Sequence, residues 1–118
     1  MTMEKYPGES VPFDLDCSDM LAASVTITGT PALSFLPALT GGDGLTFGSA
    51  TVNTQAVTYA DGRTAAAGKV IQVRIAGGSA PANQTKRAYS VIATFTDSNG
   101  DTQVARALLD VLNPAPSV

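Results

Sequence analysis

The chain has 118 residues, which suits one domain with one core, and its 44% hydrophobic and 14% charged composition is too apolar for a disordered segment. No uninterrupted apolar run comes near the roughly 20 residues that cross a bilayer, and a net charge of -3 gives phosphate backbones no attraction, so neither membrane nor nucleic acid is an expected partner. With no histidine and one cysteine, Cys17, the sequence excludes an intrachain disulfide and a Cys-His nucleophile and lacks the commonest zinc ligand.

Apolar residues recur with a period of two and almost nowhere with a period of 3.6, so the predicted elements are strands. Residues 1–9 read as an extended arm; Glu4, Lys5 and Pro7 stand where a secretion signal needs an apolar stretch, so synthesis in the cytoplasm is expected. Val11, Phe13 and Leu15 alternate with Pro12, Asp14 and Asp16 in a first strand, placed at a sheet edge because Pro12 has no amide to donate. Residues 17–22 fit one helical turn, capped by Ser18 or Asp19, with Met20 and Leu21 turned inward. Val25 and Ile27 form a second strand, and Leu33 and Phe35 a third that Pro37 interrupts.

A glycine-rich loop over 40–44 precedes Leu45, Phe47 and a threonine-rich run to Tyr59 that reads as one or two weaker strands. Asp61-Gly62 marks a turn, and the small residues of 64–68 a loop. Ile71, Val73 and Ile75 alternate in a half-buried strand that leaves through a long turn over 77–83. Tyr89, Val91, Ala93 and Phe95 share one face of the next strand. Residues 96–101 close a hairpin, Asn99-Gly100 supplying positive φ, and the last strand runs from Val104 to Leu112. Asn113 and the prolines of a 113–118 tail stop it. About seven antiparallel strands over 10–112, with turns every eight to twelve residues, predict an all-β fold, a single immunoglobulin-like β-sandwich, with an open barrel as its competitor.

Chemistry is sparse. Gly41-Gly42-Asp43-Gly44 and Gly77-Gly78-Ser79 lack the Gly-Lys-Ser/Thr cradle and the following helix that hold phosphate, so they read as loops. Asp97, Asn99 and Asp101 are spaced like the start of a calcium loop, but Leu108 stands where a bidentate Glu closes one; a hairpin turn without metal is expected. Asp14 and Asp16, with Asp19 nearby, could serve as acid and base or as hard-metal ligands, against the plainer reading of an acidic edge that discourages strand addition. Lys86 and Arg87 could meet a partner's carboxylates or end a solvated loop. Tyr89 matches the sandwich tyrosine whose hydroxyl bonds back to a corner, and Cys17 reads as a small buried apolar residue. No catalytic residue, cofactor or metal ligand is expected, and the chain reads as a binding and assembly protein rather than an enzyme.

Two stretches carry a family resemblance. From Glu4 to Ala22 an extended strand leads through Cys17 into Ser18-Asp19 and the apolar pair Met20-Leu21. From Gln72, a strand runs into Gly77-Gly78, followed by Tyr89-Ser90-Val91, the turn at Asn99-Gly100 and the return through Arg106 to Leu109. Together they resemble small tailed-bacteriophage proteins of the fibre-tail adaptor type; residues 40–68 depart from the pattern in length and content. The resemblance implies a virion structural protein, made in the host cytoplasm and oligomerising around a symmetric tail or neck, with other phage structural proteins as partners. Candidate contact residues are Gly41, Gly42, Asp43 and Gly44, in a loop that could order on docking, with Lys86 and Arg87. A capsid decoration or neck protein is the alternative. A carbohydrate-binding or adhesive module is a further one, though it needs exposed aromatics and the chain has three Tyr, four Phe and no Trp.

Overall fold

The computed structural model describes residues 2–39, 44–80 and 83–114. Ten strands lie within them: β1 (Thr2–Lys5), β2 (Ser10–Asp16), β3 (Ile27–Leu36), β4 (Leu45–Phe47), β5 (Thr51–Val52), β6 (Val57–Thr58), β7 (Thr64–Ala65), β8 (Val70–Gly77), β9 (Lys86–Asp97) and β10 (Thr102–Leu112). One four-stranded sheet has the order β1-β10-β9-β3, a second the order β2-β8-β4 with β5 also on β8, and β6 and β7 form a small ribbon. The fold is all-β and neither large sheet closes on itself, which disposes of the barrel alternative. No helix among the described residues is long and apolar enough to cross a membrane.

Period-two patterning builds the core. Phe13 and Leu15 of β2, Ile71, Val73 and Ile75 of β8, and Tyr89, Val91, Ala93 and Phe95 of β9 are all buried in one cluster with Ala105, Ala107, Leu109 and Val111 of β10. Each large side chain withdrawn from water contributes about 1.5–3 kcal/mol, so these four strands carry most of the hydrophobic stabilisation. Pro12 lies on an edge as expected, since β2 pairs only with β8. Cys17 is buried, and burial, with Asp16 second, pushes its thiol up to about 11.

Several elements differ from the expectations. The described residues form ten strands, counting the two-residue β5, β6 and β7, where about seven were expected, and the strands are not all antiparallel: Thr2–Lys5, inside the predicted arm, pairs in parallel with β10 from Leu108 to Val111. Met3 is the apolar residue of that strand, and its inward neighbour Lys5 is 1% exposed, donating from Nζ to the carbonyls of Tyr6 (2.8 Å) and Gly77. A buried lysine does not look like a strand position in a hydropathy pattern, so the arm hides a strand.

The predicted second and third strands are one strand, β3, whose register against β9 shifts between Thr28 and Ala32. Gly29, at φ +68°, and Pro31 fall inside that irregularity, which is what made the sequence look interrupted there. Thr64 and Ala65, expected in a loop, pair with Thr58 and Val57, and Ala65 is buried. The turn after β2 is a single 3-10 turn over Ser18–Met20. Its N-cap position is Cys17, with no side-chain cap bond, rather than Ser18 or Asp19; Asp16 before it accepts at Oδ1 from the Ser18 amide (3.0 Å) and hydroxyl (2.6 Å), Leu21 turns inward, and Met20 is exposed.

In the β9–β10 hairpin only Gly100 takes positive φ, at +85°, and among the described residues none other than glycine does so. The Gly100 amide donates to the Asp97 carbonyl (2.9 Å) and the Asp97 amide to the Asp101 carbonyl (2.9 Å), the pattern of a type I turn closed by a left-handed glycine rather than a two-residue turn.

Candidate functional site

Alternation along β9 and β10 places Ala93, Ala105, Ala107 and Leu109 inward and therefore Val104, Arg106 and Leu108 outward. The registers then set side chains in rows across the sheet. Val104 stands opposite Thr94, which stands opposite Ala32; Arg106 opposite Ile92 and Ser34; Leu108 opposite Ser90 and Leu36, with Thr2 of β1 beyond it. Val104 and Leu36 are each 56% exposed and Leu108 43%, so this outer face sets large apolar side chains in water among its serines and threonines. Within it Arg106 donates from Nη2 to the Ser90 hydroxyl at 2.7 Å, and among the described residues no carboxylate forms an ion pair with it.

Of the sequence-predicted contact residues that are described, Lys86 stands at one end of this face, while Gly44 and Arg87 lie off it. Gly41, Gly42 and Asp43 lie outside the described residues. Gly44 holds φ +68° at the start of β4, and its carbonyl accepts from the Gly78 amide at 3.1 Å, so the far end of that loop is tied to the turn after β8. A Cβ on Gly77 would collide with the Gly44 carbonyl, which is why a glycine stands there. Lys86 opens β9 and its Nζ is 3.1 Å from Asp110 Oδ2; the carboxylate is nearly buried and the lysine half exposed. Lys86 therefore neutralises an internal acid. Arg87 is half-buried, in register with Val111.

The acidic groups are also engaged. Asp97 is the hinge of the hairpin: Oδ1 accepts from the amides of Asn99 (2.9 Å) and Asp101 (3.0 Å), and Oδ2 from Gln103 Nε2 (2.6 Å). The bond from Gln103 and those from the two amides hold its carboxyl below the usual range. The spacing that resembled a calcium loop is thus a turn with its carboxylate saturated, and no group of three or more metal-ligating side chains occurs among the described residues.

Asp14 and Asp16 do share the outer face of β2, with different surroundings. Partial burial pushes the Asp14 carboxyl up, against a hydrogen bond from Gln72 that pulls it down. Asp16 serves the Ser18 turn and lies 4.0 Å from Arg63, whose guanidinium also takes Asp61 at 2.8 Å and sits 5.1 Å over the ring of Tyr59. Asp16, Asp19 and Arg63 line a depression with Thr2 and Arg106 at the β1 edge, mixing both signs of charge.

Three buried polar residues that sequence reasoning missed hold the loops. Asn53 Oδ1 accepts from the amides of Lys69 (3.1 Å) and Val70 (2.9 Å), and its Nδ2 donates to the carbonyls of Gln55 (2.8 Å) and Ala66 (3.0 Å). Lys69 Nζ donates to the carbonyls of Ala22 (2.6 Å) and Val25, and Lys5 closes the opposite end as described. Their only sequence signal is a polar residue beside a strand start, which also describes most loops. Tyr89 departs from its expected role: its ring is buried, packed edge-on against Phe35 at 6.3 Å, but its hydroxyl finds no hydrogen-bond partner among the described residues. Compared with known protein families and with curated proteins, the chain matches none.

Proposed function

We propose that this chain is an immunoglobulin-like sandwich that acts without catalysis as a structural protein of a tailed-phage virion, as a tail-associated adaptor or connector. The observation that carries the reading is the exposure of Leu36, Val104 and Leu108 on the outer face of β3, β9 and β10, because the last two strands contain the Tyr89-Ser90-Val91 and Arg106-to-Leu109 stretch that resembles the adaptor proteins. A face of that kind on a small domain is a docking surface, and contacts weak in one copy become strong when symmetry repeats them. The strand order supports the sandwich: the last two long strands pair with β3 in one sheet while β2, β8 and β4 make the other, which is the partition of an immunoglobulin-like domain.

Gold-labelled antibody imaging of purified phage particles carrying this gene tests the reading. Label at the distal tail or fibre attachment supports the adaptor. Label over the capsid or neck replaces it with a decoration or neck protein, and particles without label refute a virion role.

A further inference from the structure

The tip of the β9–β10 hairpin holds a reactive dipeptide. Of the four asparagines, Asn113 precedes a proline with no amide to react, Asn53 is buried and bonded through its carboxamide, and Asn83 precedes Gln84. Asn99 alone precedes a glycine, and Ser98, Asn99 and Gly100 are all exposed. Glycine has no Cβ to shield its nitrogen, and where one would stand on Gly100 no residue beyond its chain neighbours comes within 4 Å, so nothing screens this corner. The Gly100 nitrogen can therefore attack Asn99 Cγ. The new C–N bond closes a five-membered succinimide, the Cγ–Nδ2 bond breaks, and the amide proton leaves with Nδ2 as ammonia. Water then opens the ring at either carbonyl. Opening at Cγ gives aspartate; opening at the main-chain carbonyl gives isoaspartate, in which the chain runs on through Cγ with one more backbone atom.

In the closed turn this nucleophile is withheld. The Gly100 amide donates to the Asp97 carbonyl at 2.9 Å, and Asp97 Oδ1 accepts from the amides on either side of it, Asn99 (2.9 Å) and Asp101 (3.0 Å). Ring closure requires the Gly100 nitrogen to leave the Asp97 carbonyl, give up its proton and swing onto the neighbouring side chain, so the tip must open first. We propose that Asn99 is a site of spontaneous covalent modification, converted through a succinimide at a rate set by the opening of the turn that Asp97 holds. Isoaspartate then keeps the turn from closing as before. The added backbone atom separates the Asn99 amide from those of Gly100 and Asp101, which converge with it on Asp97, and a third carboxylate joins those of Asp97 and Asp101. Ser98 stands on the same tip, its amide donating to the Thr26 carbonyl (2.8 Å) and its hydroxyl accepting from the Thr26 amide (3.0 Å), so the modification also loosens the entry to β3. The inference is independent of the assembly reading above.

The test incubates the full chain at mildly alkaline pH, native and in denaturing guanidinium chloride. Mass spectrometry follows the tryptic peptide of residues 88–106, in which Asn99 is the one asparagine. The expected result is two products, each heavier by the change from amide to acid, that separate on a column as aspartate and isoaspartate; the Asn99→Asp chain supplies the reference for the first. Both should form about tenfold more slowly in the native chain than in denaturant, since the bonds that close the tip must break first. Asp97→Ala, checked for folding by circular dichroism, should raise the native rate severalfold. If that variant does not fold, the natural chain in sub-denaturing guanidinium takes its place, where the conversion rate and hydrogen exchange of the Gly100 amide should rise in proportion. An unmodified peptide in denaturant, equal rates in the two states, an Asp97→Ala rate equal to that of the natural chain, or conversion indifferent to Gly100 exchange overturns the inference.

Discussion

Truncating Asn53 to alanine should be the most damaging single polar change in the domain. Its carboxamide is 5% exposed and makes four hydrogen bonds that join the end of β5 to the start of β8 and to the segment after β7. Two of the partners, the Lys69 and Val70 amides, are buried and would be left without an acceptor at about 1–3 kcal/mol each. The other two are carbonyls of the exposed residues Gln55 and Ala66, which water can take over at little cost. The expected loss is about 2–4 kcal/mol, a large share of the roughly 5–15 kcal/mol that holds a domain of this size. Urea denaturation followed by circular dichroism measures it, with Thr51→Ala as the control: that hydroxyl donates to Gln72 at 3.3 Å in an exposed setting, so its removal should cost under about 0.5 kcal/mol. If Asn53→Ala loses less than about 1 kcal/mol with an unchanged denaturant slope, the network does not hold the β5–β8 corner and the reasoning fails.

Tyr89→Phe should leave stability unchanged or raise it by about 1 kcal/mol, because the hydroxyl pays for desolvation without a bond; a loss above about 1 kcal/mol in the same assay would show that it is bonded after all. Asp97→Asn should lower the urea midpoint at neutral pH, and the difference should shrink as the pH falls below about 3.8. The native carboxyl sits below its unfolded value of about 3.8, so its stabilisation is present above that pH and lost as the pH falls through the lower native value. Asp14 has the opposite sign: its raised carboxyl costs stability once ionised, so Asp14→Asn should stabilise at pH 7 and make no difference well below pH 3.8. Native Cys17 should react with a thiol reagent far more slowly than the urea-unfolded chain, since the thiol is buried and raised to about 11; comparable rates in the two states would contradict its burial.

What could be read from the sequence was the part of the fold that hydrophobic alternation encodes. β2, β8 and the inward face of β9 stand as expected because Phe13, Leu15, Ile71, Val73, Ile75, Tyr89, Val91, Ala93 and Phe95 all bury the residue that alternation assigns to the core. The illegible elements are those whose inward positions are polar or very small. Lys5 fills the place of an apolar residue in β1, Asn53 anchors the short strands, and Ala65 is the buried member of a two-residue strand. β3 was legible in content but broken in register by Gly29 and Pro31. The candidate face escaped notice for a related reason: in Val104-Ala-Arg-Ala-Leu-Leu109 two of the three outward residues, Val104 and Leu108, are large and apolar while the inward ones include two alanines, so hydropathy alone does not say which side faces water. Lys86 was visible as a cation, but its partner Asp110 lies 24 residues away and only the β9–β10 pairing brings them together.

The distribution of polar groups bears on how such a domain would assemble. Lys5, Asn53, Lys69, Asp97 and Asp110 are buried and committed to loops, turns or an internal ion pair, so their chemistry is spent on the fold. On the second sheet, β2 presents Pro12 at an edge and sets Asp14 and Asp16 beside it, both devices that oppose the addition of another strand. Edge pairing is therefore blunted there, while the broad face of the other sheet exposes Leu36, Val104 and Leu108. Docking on a face leaves the hydrogen bonding of both sheets unchanged, so in the proposed reading the domain joins a larger assembly without rearranging its own strands.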